Sequence, residues 1–121
     1  MKSAISILWL ILSLINSPAL ARSCTQSTYA VEEARSKLKR AAEETELESA
    51  KDEARRAKNA LEDAAYAARQ CDCNRAFYEF DDAATKAKRA RDADTADEFV
   101  SELNRSIRSF NSALDSMRRC R

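Results

Sequence analysis

Apolar residues recur every three or four positions along most of the chain, which is the spacing of one face of an α-helix. The first half carries two such series: Val31, Ala34, Leu38 and Ala41, then Leu47, Ala50, Ala54, Ala57, Leu61, Ala64 and Ala68. The step of six from Ala41 to Leu47 fits neither spacing, so the apolar stripe changes phase there. The second half repeats this with Phe80, Ala83, Ala87 and Ala90, then Ala96, Phe99, Leu103, Phe110, Ala113 and Met117. The pattern predicts four helices at about 28–43, 46–69, 76–92 and 95–118.

Residues that cap helices stand at both phase changes. Thr45-Glu46-Leu47-Glu48 has the Thr-x-x-Glu form of a capping box. At the corresponding place in the second half, Asp94-Thr95-Ala96-Asp97 offers another helix start. Each half is therefore predicted to be a helical hairpin. The alternative is one long antiparallel coiled coil of two unbroken helices, because neither glycine nor proline stands at the two steps.

The composition supports an all-α fold. The chain has no glycine, and its single proline is Pro18. Proteins built from strands and tight turns need both residues to form those turns. Alanine, glutamate, lysine and arginine, which are abundant here, favour helix. We expect an alanine-rich four-helix bundle.

The four cysteines divide the chain into two units. Cys24 and Cys71 are 47 positions apart, as are Cys73 and Cys120, so a shift of 49 residues superimposes both pairs. The same shift places Lys39-Arg40-Ala41 on Lys88-Arg89-Ala90. We interpret residues 24–71 and 73–120 as two copies of one repeat.

Two tandem hairpins predict the disulfides Cys24–Cys71 and Cys73–Cys120. Each bridge closes a loop worth about 4 kcal/mol in the simple chain-entropy model. The long coiled coil instead pairs Cys24 with Cys120, and a swapped pairing of Cys24 with Cys73 and Cys71 with Cys120 is a third alternative. On the hairpin interpretation Cys71-Asp72-Cys73 is the seam between two copies. The competing hypothesis is a thiol–disulfide redox site.

Residues 1–21 have the features of an export signal. Lys2 precedes an apolar run over 5–15, and Ala19-Leu20-Ala21 gives the small-x-small cleavage pattern. The run is shorter than the roughly 20 residues that span a bilayer. Cleavage after Ala21 leaves residues 22–121 as a single helical domain. We expect it in the periplasm of a bacterium, or secreted from another kind of cell, where disulfides are usual.

Charge and residue types exclude several functions. The chain has 21 basic and 20 acidic residues, and Lys2 is the only charged residue of the signal, so the remainder is formally neutral. We therefore expect no nucleic-acid partner, since phosphate binding needs a positive excess. With no histidine and no glycine, the chain lacks the commonest general base and any phosphate-binding loop. We expect no enzyme, no cofactor, no metal site and no membrane span after the signal is removed.

The sequence favours a small exported protein that binds another protein or an envelope component without catalysis. The alternatives are a redox protein using Cys71 and Cys73, and an amphipathic helical protein that binds lipid. Aromatic residues off the apolar rows are candidate contacts, because such residues are common at interface hot spots: Tyr29, Tyr66, Phe77 and Tyr78. Basic residues shared by the two units are further candidates: Lys37, Lys39, Arg40, Lys86, Lys88 and Arg89.

Local charge pairing is the simpler explanation for many of these basic residues. Lys37 follows Glu33, and Lys86 follows Asp82, at the four-residue spacing that supports helical ion pairs. Packing between the two units likewise accounts for the aromatic residues.

Overall fold

The computed structural model describes residues 27–120, with side chains from Tyr29 onward. It contains four helices, α1 (Ser27–Glu43), α2 (Leu47–Gln70), α3 (Asn74–Arg91) and α4 (Ala96–Arg119). These helices hold 88% of the described residues, and the described residues contain no strand. The predicted four-helix, all-α fold is confirmed. The unbroken coiled coil is wrong, because residues 44–46 and 92–95 interrupt the helices at both phase changes. The predicted signal over 1–21 and Cys24 lie outside the described residues.

Consecutive helices pack against one another. The contacts of α1 with α2, of α2 with α3 and of α3 with α4 are extensive, whereas α4 touches α1 and α2 much less. Because the connections are short, neighbouring helices run antiparallel. One end of the bundle therefore carries Cys71, Cys73 and Cys120, and we call it the cysteine end. The opposite end carries segments 44–46 and 92–95, and we call it the loop end.

The core is built mainly from alanine, which lets the helices approach closely. The larger buried side chains lie among these alanines, with Phe80 and Leu61 fully buried and the rings of Phe80 and Phe110 6.2 Å apart between centroids. Burial in the two hairpins corresponds at the 49-residue shift: Val31 with Phe80, Ala34 with Ala83, Leu38 with Ala87, Leu61 with Phe110 and Ala64 with Ala113. Larger residues thus fill more of these positions in the second hairpin. Duplication of the sequence stays a prediction.

The seam between the hairpins is a tight turn at Asp72, whose φ is 63°. The amide of Cys73 donates to the carbonyl of Ala68 at 2.9 Å, and the amide of Asp72 donates to that of Arg69 at 3.1 Å. This pair of bonds is a Schellman motif, which usually places glycine at the left-handed position. Asp72 takes that position in a chain without glycine, and aspartate tolerates it better than most residues.

The disulfide Cys73–Cys120 joins the start of α3 to the end of α4, with Cα atoms 5.8 Å apart. It closes the second hairpin as predicted. It also excludes both alternatives that assign Cys120 to another cysteine. The predicted partner of Cys71, Cys24, lies outside the described residues.

The two helix starts at the loop end differ. Thr95 caps α4, where its side chain accepts from the amide of Glu98 at 3.1 Å, as predicted. The capping box predicted at Thr45 is wrong. The N-cap of α2 is Glu46, with extended backbone and no side-chain cap bond. Because α2 begins at Leu47, Thr45 stands one residue too early to cap it.

Candidate functional site

The structure separates the aromatic candidates from the basic ones. Tyr29 and Tyr78 lie near the starts of α1 and α3, at the cysteine end. The basic candidates lie toward the ends of those helices, at the loop end: Lys37, Lys39, Arg40, Lys86, Lys88 and Arg89. Arg40 lies eleven positions after Tyr29 in α1, which corresponds to about 17 Å along the helix axis. Aromatic and basic candidates therefore do not form one compact surface.

Tyr29 and Tyr66 come together in a groove between α1 and α2, which we call the tyrosine groove. Its volume is about 280 Å³, and its lining includes Tyr29, Ala30, Glu33, Asp63, Tyr66 and Ala67. Tyr29 is 80% exposed and Tyr66 is 66% exposed, although both are large and partly apolar. The alanines form an apolar floor, and Glu33 and Asp63 place two carboxylates among the rings.

Neither carboxylate of the tyrosine groove has a partner within the described part of the chain. The predicted ion pair of Glu33 with Lys37 is wrong, because these side chains do not approach closely enough, and no basic group pairs with Asp63 there. By contrast, the predicted pair of Asp82 with Lys86 is confirmed at 3.4 Å.

The second hairpin has a cleft where the first has the tyrosine groove. This second-hairpin cleft has a volume of about 440 Å³ and is lined by Glu79, Ser112, Asp115, Ser116 and Arg119, beside the Cys73–Cys120 disulfide. At the 49-residue shift Ala30 becomes Glu79, Tyr66 becomes Asp115 and Ala67 becomes Ser116. The second cleft is thus polar where the tyrosine groove is aromatic and apolar.

Three acids of the second hairpin, Glu79, Asp82 and Asp115, are bonded within the chain. Ser116 donates to Glu79, and Arg119 lies 3.0 Å from Asp115. Ser109 donates to Asp82 at 2.6 Å, joining α4 to α3. This hydrogen bond, assisted by Lys86, lowers the pKa of the Asp82 carboxyl below its ordinary value of 3.8. These three carboxylates therefore already have hydrogen-bond or ion-pair partners within the second hairpin.

Phe77 and Tyr78 form a separate aromatic pair at the start of α3. Their ring centroids are 5.0 Å apart, and the guanidinium of Arg69 stands 5.4 Å from the centre of the Phe77 ring. Phe77 is half-buried against the core, whereas Tyr78 is 68% exposed. The Phe77 ring thus already has a cationic partner from α2, which the rings of the tyrosine groove lack within the described residues.

At the seam, Cys71 and Cys73 hold their sulfur atoms 3.6 Å apart. Cys73 is 2% exposed and bonded to Cys120. No described cysteine is a free thiol. The cysteines of the seam are therefore oxidised in this structure, with Cys73 buried and Cys71 half-buried.

Sequence reasoning missed two features. An apolar cleft of about 290 Å³ lies at the loop end, lined by Leu47, Phe99, Val100 and Leu103 among others. Glu53 and Glu102, which correspond at the 49-residue shift, each keep a buried carboxylate oxygen without a hydrogen-bond donor. The sequence signal for the second feature was the three-residue spacing of these glutamates to Arg56 and Arg105, which is that of helical ion pairs. Those pairs exist at 3.7 Å and 3.6 Å, and they leave one oxygen unsatisfied in each residue.

Within residues 27–120, no cluster of three or more cysteine, aspartate or glutamate side chains is placed to hold a metal ion. Over the same span, no helix combines the length and apolar character needed to cross a bilayer.

Comparisons with models of known protein families, with curated proteins and with solved structures gave no match.

Proposed function

We propose that this chain is an exported, non-catalytic helical module that binds another protein or an envelope component through the tyrosine groove. The observation that carries the proposal is the exposure of Tyr29 and Tyr66 on one groove. Burying such rings favours binding, because tyrosine supplies large contact area at a low cost in conformational entropy. The packing of the hairpins does not use these two rings.

Export is supported by the signal-like residues 1–21 and by the Cys73–Cys120 disulfide. Disulfides form and persist mainly in oxidising compartments. The exported protein is therefore expected in the periplasm of a bacterium, or outside the cell otherwise.

A role without catalysis is supported by the residue types and by the carboxyl groups. The pKa values that depart from the ordinary range among described carboxyls, those of Asp52, Asp82 and Asp92, are all lowered. A general acid near neutral pH needs a carboxyl whose pKa is raised by burial or by another acid. Hydrogen bonds from Arg55, Ser109 and Arg91 instead favour the charged forms of these three groups.

The two other hypotheses have less support. A redox role for Cys71 and Cys73 would first require reduction of a bond that holds a buried sulfur, since Cys73 is paired with Cys120. A lipid-binding role would require the apolar stripes to leave one another, because they already form the core between the helices.

Site-specific photocrosslinking in the producing cell tests the proposal. A photoreactive phenylalanine analogue would replace Tyr66 in one variant, and Arg105, an exposed residue of α4, in the control. We expect a discrete crosslinked species from the Tyr66 position and none from Arg105. Equal crosslinking at both positions, or none at either, would contradict binding through this groove.

A further inference from the structure

From the contrast between the two hairpins we infer that the tyrosine groove accepts a basic side chain, arginine above all, presented by a partner protein. This rests on the proposed function and specifies the chemistry of the partner.

The acidic side chains of the groove are the first reason to expect a basic ligand. Glu33 and Asp63 face the same groove, and within residues 29–120 neither makes an ion pair or a side-chain hydrogen bond. Many other acids of the chain do, including Glu32 with Arg35, Asp52 with Arg55 and Glu62 with Lys58. The bundle therefore leaves two negative charges together in a concave site. A cationic group is the complement that such a site lacks.

The two tyrosine rings of the groove are the second reason to expect a basic ligand. A guanidinium within about 6 Å of an aromatic face is attracted by the ring quadrupole, and its apolar stem packs on the same surface. The chain uses this contact internally, with Arg35 5.8 Å from the centre of the Phe110 ring and Arg69 5.4 Å from that of Phe77. Tyr29 and Tyr66 have no such internal partner among the described residues. Rings and carboxylates together offer an arginine both a stacking face and an ion pair.

The second-hairpin cleft, compared with the tyrosine groove, gives the third reason. In the second-hairpin cleft, Asp115 stands in place of Tyr66, and Arg119 and Ser116 bond to the acids there. Glu79 and Asp115 of that cleft therefore have partners within their own chain. The same helix pair in the first hairpin lacks both the internal arginine and the serines, since Gln70 stands in place of Arg119 and Ala67 in place of Ser116. An arginine from a partner would supply in the first hairpin what Arg119 supplies in the second.

Charge favours a protein segment over a sugar. An oligosaccharide also stacks on tyrosine, but it brings no charge to offset two carboxylates. The mature chain is formally neutral, so this groove is a local negative site and the molecule as a whole gives no general attraction for cations.

The test uses the disulfide-bonded mature protein and a defined probe, the capped peptide Ala-Arg-Leu-Arg-Ala, followed by ¹H–¹⁵N NMR. Matched probes carry citrulline in place of both arginines, which keeps the shape and removes the charge. We expect the arginine peptide to shift the amides of Tyr29, Glu33, Asp63 and Tyr66, and to leave those of Glu79 and Asp115 unmoved. The citrulline peptide should bind at least about threefold more weakly, because it loses both ion pairs.

Variants locate the effect. Tyr29→Leu and Tyr66→Leu should each weaken binding about two- to fivefold, the worth of an exposed cation–π contact. The double change Glu33→Gln with Asp63→Asn should weaken it about three- to tenfold. The matched control is Glu79→Gln with Asp115→Asn in the second-hairpin cleft, which should leave the affinity unchanged. All four groove positions lie at the surface of the hairpin, so circular dichroism should show the same fold in every variant.

Three results would overturn the inference. The first is a set of shifts spread over all acidic surfaces and weakened equally by the control variant. The second is equal binding of the arginine and citrulline peptides. The third is groove shifts with chitohexaose but none with the arginine peptide. Crosslinking at Tyr66 in the cell together with any of these results would leave the proposed function standing and remove only the basic partner. Specific peptide binding without crosslinking would do the reverse.

Discussion

At the scale of single residues, the seam turn depends on an unusual choice. Asp72 adopts a left-handed backbone that glycine occupies in most Schellman motifs. The cost of that conformation to a residue with a side chain is about 1 kcal/mol. The sequence placed the seam here but did not indicate the left-handed residue, because glycine, which marks such a position, is absent from the whole chain.

Asp72→Gly is therefore expected to stabilise the protein by about 0.5–1 kcal/mol, since glycine adopts positive φ without a steric penalty. The gain is reduced by the greater freedom of glycine in the unfolded chain. Chemical denaturation of the disulfide-bonded protein measures it. The control is Asp92→Gly, at the end of α3, where φ is −91° and glycine has no conformational advantage. A gain at Asp92 equal to that at Asp72 would contradict the explanation.

At the scale of helices, the sequence predicted existence and bounds well. The apolar rows placed every helix end within two residues of its position in the structure, because burial on one face imposes a strict spacing. Capping was predicted less well, since a shift of one residue in the helix start moved Thr45 out of reach of the amides it was expected to bond. The N-termini of α2 and α4 at the loop end therefore differ, because Thr95 caps α4 and no side chain caps α2.

Thr95→Ala is expected to lower the free energy of unfolding by about 1 kcal/mol, because it removes the side-chain acceptor for the amide of Glu98. Thr45→Ala, at the corresponding phase change of the first hairpin, is expected to change it by less than about 0.5 kcal/mol, because Thr45 caps nothing. Urea titration of both variants under the same conditions measures the two changes in the free energy of unfolding. Equal losses would restore the capping box that the structure rejects.

The hydrogen bond from Ser109 to Asp82 links α4 to α3 and makes one part of the stability depend on pH. The pKa of Asp82 is lowered in the folded state, first by this bond and then by Lys86. A lowered carboxyl pKa contributes stability above the unfolded value, near 3.8, and that contribution is lost as pH falls through the folded pKa. The side chain of Asp82 is half-exposed, so solvent screening keeps the contribution small.

Ser109→Ala is expected to move the pKa of Asp82 upward toward its ordinary value and to reduce the loss of stability between neutral and acid pH. NMR titration of the Asp82 carboxyl measures the first effect, and unfolding at pH 6 and pH 3 the second. Ser112→Ala, an exposed neighbour on α4, is the control and should leave the Asp82 titration unchanged. An unmoved Asp82 pKa in the Ser109 variant would show that the inter-helix bond is absent in solution.

At the scale of the whole molecule, the two hairpins share one frame but differ in the side chains that line their clefts. The second pairs Glu79 with Ser116 and Asp115 with Arg119 in its cleft, and the first leaves a groove with exposed rings and with acids that are unpaired among the described residues. The sequence pointed to Tyr29 and Tyr66 as candidates, but not to their meeting, because they lie on different helices and Tyr66 corresponds to Asp115 in the second unit. The unpaired state of Glu33 was also hidden, since its spacing to Lys37 predicted an ion pair. Such contacts depend on side-chain positions that residue spacing does not fix.

The central claim is an exported protein of two hairpins, each closed by its own disulfide. The most direct measurement is mass spectrometry of the mature protein recovered from the exporting cell, with peptides mapped before and after reduction. The account predicts an N-terminus at Arg22 and the bridges Cys24–Cys71 and Cys73–Cys120. Retention of residues 1–21, or a bridge from Cys24 to Cys73 or Cys120, would contradict it.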